Sequence, residues 1–146
     1  MAIKVRFASI HQAQRKQQMR RLCKLLESRI AEGKTVAVLV PDDSWARRFS
    51  ELLWTFDDAS FVPHGVSLET ASPMDRLLLV SSHPSGLTAD VLVNFCPQPV
   101  AEGQLDDEEC EVFELFQQDQ GDGRTVGKQK WDWYRNRGIT PEKGSL

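Results

Sequence analysis

The sequence predicts an α/β protein with one domain, built on a mostly parallel sheet with helices on both faces. Valine-rich runs of strand length, above all Thr35 to Val40, alternate along the chain with longer segments whose apolar residues recur at helical spacing. An unbroken apolar run of this kind is typical of a strand buried on both faces, as in a parallel sheet. We expect residues 1–140 to form the domain and residues 141–146 a loose tail that begins at Pro141.

The first half of the chain contains two predicted helices. Ile3, Val5 and Phe7 alternate with polar or small residues and predict a short strand. A long amphipathic helix is predicted from about Gln12 to Glu32, and Gly33 fits the position just past its end. After the Thr35–Val40 strand, a second helix is expected, with its cap and inner stripe drawn from Asp42, Asp43, Ser44, Trp45, Phe49, Leu52 and Leu53.

The second half continues the alternation. Strands are predicted over Leu77–Val80, Val91–Phe95 and Glu111–Phe116. Between them we expect a turn-rich loop over Ser81–Thr88 and a short acidic helix over Glu102–Glu108. Gly121 and Gly123 are expected to open a turn, and a last helix is predicted from about Val126 to Asn136, closed by Gly138.

Composition narrows the class of protein. The net charge of −3 argues against a dedicated nucleic-acid binder, but a long acidic stretch over residues 102–122 is followed by a basic one over residues 124–137. Three widely spaced cysteines predict reduced, buried thiols in a cytoplasmic protein, not a disulfide framework. We expect no membrane span and no secretory signal, since no apolar run is long enough.

Residues 52–64 contain a cluster of large aromatic side chains. Trp54, Phe56 and Phe61 lie within eight positions, ahead of Pro63 and His64. Because proline cannot occupy the centre of a sheet, we expect these aromatics on an irregular connection at a sheet edge, where exposed apolar side chains mark a partner site. The alternative is that Trp54 and Phe56 pack under the sheet as core.

No set of residues predicts catalysis, a metal or a cofactor. The Gly33-Lys34-Thr35 tripeptide follows a helix and opens a strand, which is the reverse of a phosphate-binding loop. Asp42 and Asp43 follow a strand and could hold a divalent ion, although capping a helix is the commoner role. A small nucleotide-binding or hydrolytic enzyme that uses these two carboxylates with the tripeptide is the alternative function.

The last predicted helix carries a second candidate site. Lys128, Trp131 and Arg135 share one helix face, and Arg124 lies just before the helix. Cations around an aromatic ring suit an acidic peptide that ends in an apolar residue. Two alternatives stand beside this reading: Trp131 or Trp133 packs into the core, or the cations contact a DNA backbone.

Three stretches, residues 31–40, 52–65 and 130–138, resemble the chi subunit of bacterial DNA polymerase III holoenzyme. The middle one, from Leu52 to Gly65, is similar to the most distinctive motif of that family, and the last ends in a Trp-Tyr-Arg-x-x-Gly pattern. The resemblance covers nearly the whole chain in order. It implies a mononucleotide-binding-like topology without a nucleotide, no cofactor and no catalysis.

The resemblance also implies two protein partners. One is the psi subunit of the clamp loader. The psi-facing surface, which in some bacteria also receives a repair helicase, carries over to Trp54, Phe61, Pro63 and His64. The other is the acidic C-terminal tail of single-stranded DNA-binding protein (SSB), whose site carries over to Arg124, Lys128, Trp131 and Arg135. DNA would be reached only indirectly. The chain departs from the family pattern at Asp132, where an acid would repel a tail carboxylate, and at Trp131, which replaces a tyrosine.

Overall fold

A seven-stranded, entirely parallel sheet forms the centre of the molecule. The computed structural model describes residues 2–57, 59, 62, 64–65, 76–81, 89–100, 109–118 and 121–146. The strands are β1 (Ala2–Ile10), β2 (Val36–Leu39), β3 (His64–Gly65), β4 (Leu77–Val80), β5 (Val91–Asn94), β6 (Glu109–Gln117) and β7 (Glu142–Gly144). Their order across the sheet is β3-β4-β2-β5-β6-β1-β7. The predicted α/β class is confirmed.

In the described part of the chain, three α-helices cover the two faces of this sheet. They are α1 (Arg15–Ala31), which a single 3-10 turn precedes, α2 (Asp43–Thr55) and α3 (Gly123–Arg135). One apolar cluster joins α1 and α2 to one face, and a second joins α3 to the other. The two-residue alternation of a strand sorts the side chains: Val36 and Val38 of β2 point toward α1 and α2, whereas Ala37 and Leu39 point toward α3.

The predicted strands and the first two helices are confirmed to within a few residues. All four residues of β2 and of β5 are buried, as the apolar runs predict. Gly33 takes a φ of 85° directly after α1, and its amide donates to the Ile30 carbonyl (2.9 Å), so it ends the helix as expected. Asp42 caps α2, because its carboxylate accepts a hydrogen bond from the Trp45 amide (2.9 Å).

Two sequence predictions about local structure are wrong. Trp54 does not lie on an irregular connection, because α2 continues to Thr55, and Phe56 extends its buried stripe as the fourth member after Ala46, Phe49 and Leu53. Residues 142–144 are not loose: they form β7, which pairs with Arg6 to Ala8 of β1. The reason is that β1 otherwise has an unpaired edge, and backbone hydrogen bonds satisfy it without any apolar side chain.

The last helix begins three residues earlier than predicted. Gly123 is its first residue and not part of a turn, and Gly138 follows its end with a φ of 78°. A side chain at Gly123 would overlap the Gln117 carbonyl, so this helix start requires glycine. Most of the predicted loop at 81–88 and acidic helix at 102–108 lie outside the described residues.

Candidate functional site

Helix α3 packs very closely against β6. Its inward-facing residues are Gly127, Lys130 and Tyr134, which follow one another at helical spacing. A Cβ atom at Gly127 would lie only 2.8 Å from the Phe116 ring, so glycine allows the helix to approach this near. The close approach of α3 to β6 therefore depends on glycine at position 127.

A fully buried polar network fixes the helix against the sheet. Lys130 Nζ lies 2.9 Å from Glu114 Oε1, and the two side chains are 1% and 0% exposed. Lys130 also donates to the Cys96 carbonyl (3.0 Å), the Tyr134 hydroxyl donates to the other oxygen of Glu114, and Asn94 donates to both oxygens. The carboxylate therefore has three partners, which a buried charge requires.

The burial of this network shifts the pKa values of Glu114 and Tyr134. Loss of solvent raises the pKa of the Glu114 carboxyl, and the Lys130 charge with the hydrogen bonds from Tyr134 and Asn94 opposes that rise. Burial and the neighbouring Glu114 raise the pKa of Tyr134, so the phenol stays a neutral donor. Because Tyr134 also accepts from the Val100 amide (3.1 Å), the network ties α3 to the segment after β5.

A groove of about 560 Å³ opens between α3, β1, β6 and β7, and we call it the α3 groove. Three aromatic rings and three cations lie along it: Phe7, Phe116, Trp131, Arg124, Lys128 and Lys143. The Trp131 ring packs on Phe7 at 5.1 Å between centroids and is half-buried. Among the described residues that line the groove, none is a carboxylate. Its chemistry is that of an apolar floor with a positive rim.

The structure brings together three of the four tail-site residues singled out in the sequence. Arg124, Lys128 and Trp131 line the α3 groove, whereas Arg135 is exposed but is not among the lining residues. Asp132, which was expected to weaken the site, is exposed and also lies outside the lining. On a helix, a residue next to Trp131 is turned about 100° away from it, which explains the separation.

Sequence reasoning missed Lys143 as a member of this groove. The residue lies on β7, in the segment expected to be a loose tail, and its neighbours Glu142 and Gly144 are polar or small. A three-residue strand without apolar side chains has no periodic signal. The hint in the sequence was that Lys143 is a cation only three residues past the predicted end of the domain at residue 140.

Neither Trp131 nor Trp133 is the core residue of α3. Both are half-buried and flank the inward stripe, while Tyr134 takes the fully buried position. The Arg137 guanidinium lies 3.7 Å from the centroid of the Trp133 ring and covers it. Of the two indoles, Trp131 is therefore the one that faces the groove.

A second surface lies at the β3 edge of the sheet, formed by Trp54 and His64. Trp54 is 50% exposed, and it is the only large apolar side chain classed as exposed among the described residues. Its ring packs on the His64 imidazole at 4.9 Å between centroids. We call this pair the Trp54 surface. Phe61 and Pro63, which were assigned to the same site, lie outside the described residues.

His64 supports Trp54 through two hydrogen bonds of its own. His64 Nδ1 lies 2.9 Å from the Val62 carbonyl oxygen, and Nε2 lies 2.6 Å from Ser50 Oγ. Since a carbonyl only accepts, Nδ1 carries a proton and donates it to Val62, and Nε2 shares a hydrogen bond with the serine hydroxyl. His64 thus connects β3 to α2 and fixes the orientation of the indole. Phe56, in contrast, is buried in the core, as the alternative reading expects, whereas Trp54 is exposed and its role as a partner site stays a prediction.

The residues of the alternative enzyme hypothesis are not assembled into a site. Thr35 precedes β2, where Asp90 accepts hydrogen bonds from its amide and hydroxyl, and Asp42 follows β2 as a helix cap. The four residues of β2 separate them by about 13 Å at 3.3 Å per residue. No group of three or more metal-ligating side chains occurs in the described parts of the chain.

The three cysteines are buried thiols, as predicted. Burial raises the pKa of Cys23 to about 12 and that of Cys96 to about 11, which keeps both in the unreactive thiol form. The described helices include none that is long and apolar enough to cross a membrane.

Comparison with known proteins identifies the family. The family model described as "DNA polymerase III chi subunit, HolC" matches residues 3–142. Since this match covers most of the 146 residues, the chain belongs to the chi subunit family, and the resemblance seen in the sequence is confirmed. Comparison with individual curated proteins gives no match. Members of the family are accessory subunits of DNA polymerase III, which places this chain in DNA replication.

Proposed function

We propose that this chi-family subunit is a non-catalytic adaptor that binds the C-terminal tail of SSB in the α3 groove and the psi subunit at the Trp54 surface. The observation that carries the proposal is the α3 groove, which combines an aromatic floor with three cations at its rim. Such a site suits a short peptide with carboxylates and an apolar end.

The tail assignment rests on matched chemistry. The apolar terminal residue of the peptide would contact Trp131 and Phe7, whose rings already pack together at 5.1 Å. Its carboxylates would pair with Arg124, Lys128 and Lys143, and charge-assisted hydrogen bonds of this kind are the stronger ones. No described lining carboxylate would repel them. The buried network under α3 keeps these donors in place before the peptide arrives, which lowers the entropy cost of binding.

The psi assignment rests on exposure at a sheet edge. Trp54 is half-exposed and is held in place by His64, and partner interfaces are centred on large, rigid aromatic side chains of this kind. β3 pairs only with β4, so its other edge is open to a partner among the described strands. A helicase that uses the same surface would compete with psi.

The positions of the two surfaces support a bridging role. β3 and β7 are the two edge strands of the sheet, and six inter-strand spacings separate them. At about 4.8 Å each, these spacings amount to about 29 Å. The two surfaces therefore lie at opposite edges of the sheet, as a bridging role requires.

Titration with a labelled SSB tail peptide tests the α3 groove. We expect micromolar binding that is lost when the terminal apolar residue is removed, and a Lys128→Glu substitution should weaken it about tenfold, more at low salt. Arg135→Glu, on the same helix but outside the lining, is the matched control and should have a smaller effect. Equal losses from both substitutions, or no binding at low salt, would contradict the assignment.

Replacement of Trp54 tests the second surface. Trp54→Ala should abolish binding of psi, measured by co-purification and calorimetry, while thermal unfolding stays close to that of the wild type because the side chain is half-exposed. The control is Phe56→Ala, which removes a buried ring and should destabilise the fold by about 3–5 kcal/mol. Unchanged psi binding by a folded Trp54→Ala variant would rule out the site.

A further inference from the structure

A second groove lies between the first turns of α1 and α2, at the carboxyl end of the sheet. Its volume is about 460 Å³, and we call it the α1–α2 groove. The apolar side chains of Met19, Phe49 and Leu52 are among its lining residues. Neither partner surface described above includes these residues, so the groove has no role in the proposed adaptor function.

Three cations border this groove. Arg15, Lys16 and Arg48 are lining residues, and Arg15 and Arg48 place their guanidinium carbons 5.1 and 5.9 Å from the centroid of the Trp45 ring. Within the described part of the chain, none of the three forms an ion pair with a carboxylate, and no acidic residue lines the groove. The arrangement repeats the chemistry of the α3 groove.

The two grooves are direct neighbours. His11 lines the α3 groove and Gln12, the next residue, lines the α1–α2 groove. Their Cα atoms are thus about 3.8 Å apart. A smaller depression of about 190 Å³ also connects the two, because Phe116 is shared with the α3 groove and Trp45 with the α1–α2 groove. An extended chain that leaves one groove can enter the other.

We propose that the α1–α2 groove is a second acidic-peptide site, which continues the α3 groove so that one acidic segment occupies both. The proposal rests on the proposed function of the α3 groove. Carboxylates of the segment pair with Arg15, Lys16 and Arg48, since guanidinium groups match carboxylates in geometry, and an apolar side chain enters between Met19 and Phe49.

A peptide fits this groove better than a single-stranded nucleic acid. Bases bind such proteins by stacking on open aromatic faces. The Trp45 ring packs on Phe95 at 5.1 Å between centroids, and two guanidinium groups lie over it, so a base would first have to displace them.

Two labelled peptides test the inference. The short peptide has four acidic residues and a terminal phenylalanine; the long one adds eight residues at its N-terminus, four of them aspartate and one leucine, enough to reach about 26 Å when extended. We expect the long peptide to bind the wild type at least fivefold more tightly. Arg48→Glu should remove this gain and leave the affinity of the short peptide unchanged.

Arg47→Glu is the matched control, because Arg47 is the neighbouring exposed arginine on α2 and does not line the groove. It should keep the gain, and Lys16→Glu should reduce it. Thermal unfolding of all variants should be unchanged, since the three side chains are exposed.

The outcomes separate the two proposals. No gain from the extension, or a gain that survives Arg48→Glu, overturns the second site. If the short peptide does not bind the wild type, the α3 assignment is overturned. Binding of the long peptide that depends on Arg48 would in that case still support the α1–α2 groove. An oligothymidylate that binds in an Arg48-dependent way, without any gain for the long peptide, would assign the groove to nucleic acid and overturn the peptide proposal.

Discussion

Replacing Lys130 with methionine should destabilise the protein by leaving Glu114 buried without its cation. At 2.9 Å and an effective dielectric constant of about 20, the lost attraction is about 6 kcal/mol. The carboxyl can limit this cost by taking up a proton. From the ordinary pKa of 4.5, protonation at pH 7 costs about 3 kcal/mol. Burial raises the pKa and so lowers this cost, whereas the hydrogen bonds that Asn94 and Tyr134 donate to the carboxylate oppose that effect. We expect Lys130→Met to cost about 2–3 kcal/mol at pH 7.

The pH dependence of this loss is the sharper test. If Glu114 is protonated in the folded variant and ionised in the unfolded chain, the folded state binds more protons above pH 4.5. Stability of the variant must then rise as the pH falls, by up to about 1.4 kcal/mol per pH unit. Urea unfolding at pH 7 and at about pH 5.5 measures both quantities relative to the wild type.

Lys128→Met is the control for this experiment, because Lys128 is exposed on the same helix and its replacement should change stability by less than about 0.5 kcal/mol. A Lys130→Met deficit below about 1 kcal/mol, or one of the same size at both pH values, would refute the reasoning.

Two further predictions concern packing and acid stability. Gly127→Ala should lower the unfolding free energy by about 1–2 kcal/mol, because the added methyl would meet the Phe116 ring at 2.8 Å; thermal unfolding measures this, and an unchanged or raised midpoint would contradict it. For Glu111, burial raises the pKa of the carboxyl but the hydrogen bonds and charge of Arg29 outweigh it, so the net pKa is lowered. The stability that this pair contributes is present above the ordinary pKa of 4.5 and is lost as the pH falls below it. Glu111→Gln should therefore cost about 1–2 kcal/mol at pH 7 and little at about pH 3, measured by urea unfolding. A cost of equal size at both pH values would contradict the assignment.

Much of the fold could be predicted from the sequence because its central strands are buried on both faces. The apolar runs that contain β2 and β5 have few other stable locations, and Gly33 marks the end of α1 by a backbone conformation that side chains disfavour. The edges were less predictable. β7 forms because the backbone of β1 has an open side, and that condition leaves no trace in the side chains of residues 142–144.

The candidate site shows the same division between local and long-range information. Spacing on one helix was sufficient to group Lys128 with Trp131, since both positions depend only on the periodicity of α3. The burial of Lys130 was not predictable from its helix, where it is one of several cations. It depends on Glu114, which lies sixteen residues earlier with two apolar residues on each side in the run Val112–Phe116. An acid so flanked is the signal that points to a buried partner.

The buried ion pair also bears on how an adaptor of this kind binds. Replacing such a pair by apolar residues often raises stability, so its presence is poor evidence for stability alone. Here Lys130 and Tyr134 hold one face of α3 to the sheet, while Lys128 and Trp131 are on the face that lines the groove. A directional network fixes the rotation of the helix about its axis more strictly than apolar contacts, which tolerate repacking. A double replacement, Glu114→Leu with Lys130→Met, removes both charges together and should cost less stability than Lys130→Met alone, although the Tyr134 hydroxyl and the Asn94 amide lose an acceptor. It should also weaken tail-peptide binding, and equal affinity in a folded double variant would show that apolar packing alone orients the helix.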